Sequence, residues 1–80
     1  MASLLLVDGT IKTITKVPLT LGAFLRHLGE EIEMIDLLSG DILAFNPHVI
    51  EPLNNMATKM VAFKKRINGN AILCTDLEIA

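Results

Sequence analysis

The pair Asp8-Gly9 stands between an apolar run, Leu4 to Val7, and a β-branched run, "TIKTITKV". That arrangement commits the start of the chain to a β-hairpin, because Asp-Gly readily supplies the positive φ angles of a tight type I′ connection. In the second run Thr10, Ile11, Thr13, Ile14, Thr15 and Val17 favour an extended backbone. Lys12, Ile14 and Lys16 share one face of this return strand, with Ile11, Thr13, Thr15 and Val17 on the other. Pro18 ends it.

A helix is expected next. Thr20 is suited to its N-cap, Leu21, Phe24, Leu25 and Leu28 recur at helical spacing, and Gly29 is suited to its exit. Arg26 and His27 fall on the solvent side. The stretch "EEIEMIDLL" begins as a strand alternating Glu31 and Glu33 with Ile32 and Met34. The adjacent Met34 and Ile35 break that alternation, as a bulge or burial on both faces would. Ser39-Gly40 then connects to the strand "DILAFN".

A second helix is expected from Asn54 to Ile67, opened by Pro52 with Asn54 or Asn55 as cap and closed by Asn68-Gly69. The last strand, "AILCTDLEI", places Ile72 and Cys74 on one face and Ala71 and Leu73 on the other. The expected fold is a single α+β domain over residues 1–80. Its order is β-β-α-β-β-α-β, a mostly antiparallel sheet covered by two helices.

A chain of 80 residues is close to the size at which natural domains add a disulfide, a metal or a partner subunit. Cys74 is the only cysteine, which excludes an internal disulfide and CxxC-type zinc spacing. Hydrophobic residues make up 51% of the chain and charged residues 20%, so apolar surface is expected to meet a second copy. The second helix has apolar residues on two sides, and Met56, Met60, Phe63 and Ile67 are the candidate interface. The net charge of −2 argues against general nucleic-acid binding. The opening "MASLLLVDG" has neither the basic residues of a signal peptide nor the length of a membrane span, so a cytoplasmic protein is expected.

No residue set resembles catalytic machinery, and no cofactor or metal is expected. Glu30, Glu31, Glu33 and Asp36 read as the wet face of a sheet. Cys74 lies in an apolar strand, far in sequence from His27 and His48, and reads as a small core residue. The glycines form no phosphate loop. Lys64, Lys65 and Arg66 complement a helix C-terminus. With Asn54 and Asn55 they are also the candidate contacts for an anionic ligand.

Several of these residues carry a resemblance. "IEMIDLLSGDILAFN" holds Ile32, Glu33, Leu37, Gly40, Leu43 and Asn46 in the pattern I-E-x-x-x-L … G-x-x-L-x-x-N. "EPLNNMAT" holds Pro52, Asn54, Ala57 and Thr58 in P-x-N-x-x-A-T, and "GNAILCTDLEI" closes the chain. Over about residues 31 to 79 the chain resembles a domain of unknown function in small proteins of bacteriophages, related viruses and plasmids. It departs from that pattern at Asn55 or Met56, where members often carry arginine, and at Asn70, where they carry an acid. The resemblance implies a mobile-element origin, a fold and action in the host cell cytoplasm, and no established enzymatic activity.

Two functions follow as expectations. The first is a non-enzymatic, homo-oligomeric protein-interaction module that antagonises a host defence factor. The alternative is an oligomeric sponge that binds a small phosphorylated or cyclic-nucleotide signal at subunit interfaces.

Overall fold

A computed structural model describes residues 2–61 and 65–80 of the chain. Among them are five strands, β1 (Ala2–Leu5), β2 (Ile11–Ile14), β3 (Glu33–Asp36), β4 (Ile42–Phe45) and β5 (Ala71–Cys74). Two α-helices, α1 (Leu21–Leu28) and α2 (Asn55–Met60), and a short 3-10 helix at Asp76–Glu78 complete the described elements. The strands form one sheet in the order β2-β1-β5-β4-β3, and every neighbouring pair is antiparallel. The expected α+β architecture is therefore present.

The two hairpins close in the same way. Gly9 N–H donates to the Leu6 carbonyl at 3.1 Å and Leu6 N–H to the Thr10 carbonyl at 2.9 Å. In the second hairpin, Gly40 N–H donates to Leu37 at 3.0 Å and Leu37 N–H to Asp41 at 2.8 Å. Each loop thus has three residues and ends in a glycine at φ +93, in place of the two-residue connection expected at Asp8-Gly9. Asp8 Oδ1 accepts from Thr10 N–H at 2.8 Å, and this bond to the charged form holds its carboxyl below the usual range.

Side-chain alternation along the strands builds two cores, one on each face of the sheet. On one face Ala2, Leu4, Ile42, Ala44, Ile72 and Cys74 pack with Phe24 and Leu28 of α1. On the other, Leu5, Leu43, Phe45 and Ala71 pack with Ala57 of α2, Val61 and Ile67. The predicted faces of the last strand hold, but that strand stops at Cys74, where Thr75 and Glu78 form a capping box. β3 pairs with β4 in regular register, Met34 opposite Ala44 and Ile35 opposite Leu43. The adjacent apolar pair therefore serves both faces without a bulge.

α1 begins at Thr20, whose hydroxyl accepts from Ala23 N–H at 3.2 Å, and ends at Gly29. Of its apolar stripe, Phe24 and Leu28 are buried, while Leu21 in the first turn remains 69% exposed. The larger correction concerns the second helix. Its helical backbone ends at Met60, and Val61 is extended, with φ −91 and ψ 141. Residues 65–69 instead return alongside residues 52–54: Asn54 N–H donates to the Ile67 carbonyl at 2.7 Å and Gly69 N–H to the Pro52 carbonyl at 2.9 Å. Leu53 and Asn68 form an antiparallel bridge.

Candidate functional site

The return segment explains most of the residues that the sequence marked. Asn54 is fully buried. Its Oδ1 accepts from Ala57 N–H at 3.1 Å as the α2 cap, while its Nδ2 donates to the carbonyls of Leu5 at 3.0 Å and Gly69 at 2.9 Å. One side chain thus joins β1, α2 and the returning chain, and it has no proton left for a ligand. Thr58 works beside it: its hydroxyl accepts from Ile67 N–H at 3.0 Å and donates to the Ile67 carbonyl at 3.3 Å. Asn54 is removed from the candidate ligand contacts on this geometry.

The remaining described ligand candidates, Asn55, Lys65 and Arg66, do not line one cleft. Asn55 is exposed and borders a small cleft at the Asp8-Gly9 turn. Lys65 and Arg66 border a different cleft, of about 170 Å³, with Phe45, Pro47, Val49 and Asn68. Lys65 Nζ lies 5.6 Å from the Phe45 ring centroid and 3.9 Å from a Glu33 carboxylate oxygen. Arg66 is exposed and forms no ion pair among the described residues. Asn68 Oδ1 is buried without a hydrogen-bond partner among the described residues. Lys64 lies outside the described residues.

The four candidate interface residues also separate. Ile67 is fully buried inside its own protomer and offers nothing to a second one. Met56 packs partly buried against the α2-side core. Phe63 lies outside the described residues. Of the three described candidates, Met60 alone reaches the surface appreciably, at 37% exposure. There it borders an open, mainly apolar groove of about 270 Å³ with Leu37, Leu38 and Leu73. Leu73, in β5, is only partly buried there.

Leu38, missed by the sequence reading, is the most exposed member of the groove, at 99%. A signal for it exists. Leu38 sits in a turn beside Ser39-Gly40, where polar and glycine residues are the norm because they suit turn backbones and solvent.

Cys74 is buried, and its thiol is pushed up to about 11 by that burial, with Glu78, Asp41 and Asp76 adding to the effect. Such a thiol stays protonated and unreactive near neutral pH. His48 Nε2 lies 2.9 Å from a Glu31 carboxylate oxygen on the surface. Among the described residues no group of three or more His, Cys, Asp or Glu side chains is arranged to hold a metal ion, and no helix is long and apolar enough to cross a membrane. Comparison of the chain with protein-family models, with curated proteins and with solved structures finds no significant match in any of the three.

Proposed function

We propose that this chain is a non-enzymatic accessory protein of the phage type, which acts by protein contact in the host cytoplasm, associates with itself and antagonises a host factor. The observation that carries this reading is the open groove of Leu37, Leu38, Met60 and Leu73. Fully burying a leucine as exposed as Leu38 contributes about 1.5–3 kcal/mol, and in the isolated protomer that contribution is unused. The flexible Met60 side chain suits a surface that adapts to its partner. The protonated, buried Cys74 agrees with a protein that binds without covalent chemistry.

Light scattering coupled to size exclusion tests the self-association. The wild type is expected to elute as an oligomer. Leu38→Asp and Met60→Asp are expected to give monomers with an unchanged far-UV circular dichroism spectrum, since both side chains are exposed in the protomer. A wild-type monomer at high protein concentration refutes the reading. So does an oligomer that survives both substitutions.

A second reading, a sponge for a small phosphorylated signal, is favoured by Arg66, which forms no ion pair among the described residues and lies in the cleft beside Asn68 and Lys65. A nucleotide and cyclic-dinucleotide thermal-shift panel separates the two, because a ligand of the folded state raises the midpoint by mass action.

A further inference from the structure

We propose that the cleft between β2 and α1 binds the phosphate group of a small soluble ester through Lys16, Arg26 and His27. The cleft has a volume of about 220 Å³, and these three side chains line it together with Thr20 and an apolar wall that includes Ile14 and Ala23. It shares no lining residue with the apolar groove or the Lys65–Arg66 cleft, and the proposal stands whether or not the protein self-associates.

Three observations carry the inference. First, the basic groups come from two parts of the chain. Arg26 and His27 occupy the last turn of α1, where the helix dipole alone accounts for basic residues. Lys16 follows β2 and gains nothing from that dipole, yet it borders the same cavity. Second, none of the three forms an ion pair among the described residues, and no carboxylate lines the cleft. In a chain of net charge −2, Lys16 and Arg26 give this cleft a local positive charge. Lys12, on the same face of the hairpin, adds positive charge, although Asp8 lies close enough to interact with it.

Third, the donors suit a phosphate with an organic substituent. The Arg26 guanidinium is able to pair two phosphate oxygens through its planar fork, and Lys16 acts as a point charge. The Thr20 oxygen accepts from Ala23 N–H, which leaves its hydroxyl proton available to donate. Ile14 and Ala23 offer apolar wall to the rest of the ligand.

The test is a ¹⁵N-¹H NMR titration of the whole chain with inorganic pyrophosphate, against sodium chloride of matched ionic strength. Saturable shifts are expected at Lys16, Thr20, Ala23, Arg26 and His27 with pyrophosphate and not with chloride. The double variant Lys16→Gln, Arg26→Gln is expected to lose them while keeping the wild-type dispersion, since both side chains are exposed. Shifts centred on Lys65 and Arg66, a double variant that binds as the wild type does, or no saturable shift would each overturn the proposal. A second arm measures sedimentation with phosphatidylserine vesicles. Vesicle binding without a response to free pyrophosphate overturns the soluble ligand in favour of a lipid headgroup.

Discussion

Replacing Asn54 by alanine is expected to cost more than any ordinary helix cap. The substitution removes the acceptor for Ala57 N–H, and cap losses of this kind cost about 1 kcal/mol. It also removes the donor to the carbonyls of Leu5 and Gly69. Each carbonyl is then left in a buried site without that partner, at about 1–3 kcal/mol apiece. The sum is roughly 3–7 kcal/mol, against a total stability of roughly 4–12 kcal/mol for a chain of this size. Asn54→Ala should therefore be partly or wholly unfolded at growth temperature. Two companions divide the effect. Asn54→Ser keeps a capping oxygen and loses both donor bonds, so it should recover only about 1 kcal/mol of the loss. Asn54→Asp keeps the shape and the cap but turns a carboxylate oxygen toward two carbonyls, so it should be at least as damaging as alanine. Asn55→Ala, at the exposed neighbour, should stay within about 0.5 kcal/mol of wild type. The assay is urea unfolding followed by far-UV circular dichroism, since the chain has no Trp or Tyr to report by fluorescence. If Asn54→Ala lies within about 1 kcal/mol of wild type, Asn54 is a cap and nothing more, and its role in joining β1 to the return segment is refuted.

Gly29→Ala should destabilise by about 2 kcal/mol or more, because the glycine holds φ +102 and an added Cβ would lie 2.9 Å from Asn46 Nδ2, which donates to the Leu28 carbonyl. Thermal unfolding is expected to show this as a fall in midpoint of about 4–8 °C per kcal/mol. Cys74 makes stability depend on alkaline pH. Its folded thiol titrates near 11 against an ordinary 9.0, so the neutral form is favoured by folding. That contribution is fully present below pH 9.0 and is lost as pH rises toward 11. The loss is about 2–3 kcal/mol at about 1.4 kcal/mol per pKa unit, measurable as a declining urea midpoint that Cys74→Ala does not share.

The features legible in the sequence were those fixed by neighbours in the chain. Glycine at each hairpin end, Thr20 as cap of α1, Asn54 or Asn55 as cap of α2, and the alternation of Ile72 and Cys74 with Ala71 and Leu73 all follow from local rules, and the structure has each of them, with Asn54 as the second cap. The length of α2 was not legible. The apolar density from Met56 to Ile67 reads as one helix, whereas Ile67 belongs to a returning strand-like segment that fills the core from another direction. Periodicity reports which residues are buried, and it does not report whether one element or two does the burying. The position of β5 between β1 and β4 likewise rests on pairings between residues far apart in sequence. Of the candidate site, Met60 was legible as apolar and Arg66 as basic. Leu38 belongs to the groove only because folding brings its hairpin to the end of the short α2.

That division bears on the resemblance itself. Pro52 accepts from Gly69 N–H, Asn54 joins three segments, Ala57 is fully buried on the inner face of α2, and Thr58 holds both backbone groups of Ile67. Asn46, from the preceding part of the pattern, accepts from His48 N–H and secures the end of α1. These residues are occupied with folding, so they speak for a shape and not for an activity. The proposed contact surfaces centre on Leu38 with Met60 and on Lys16 with Arg26, none of them a matched position of the pattern, although Leu37 of the groove is one. Scaffold and recognition are therefore separable in this chain. Substitutions at Asn54, Ala57 or Thr58 should abolish every binding function together by unfolding, whereas those at Leu38 or Arg26 should each remove one and leave the other.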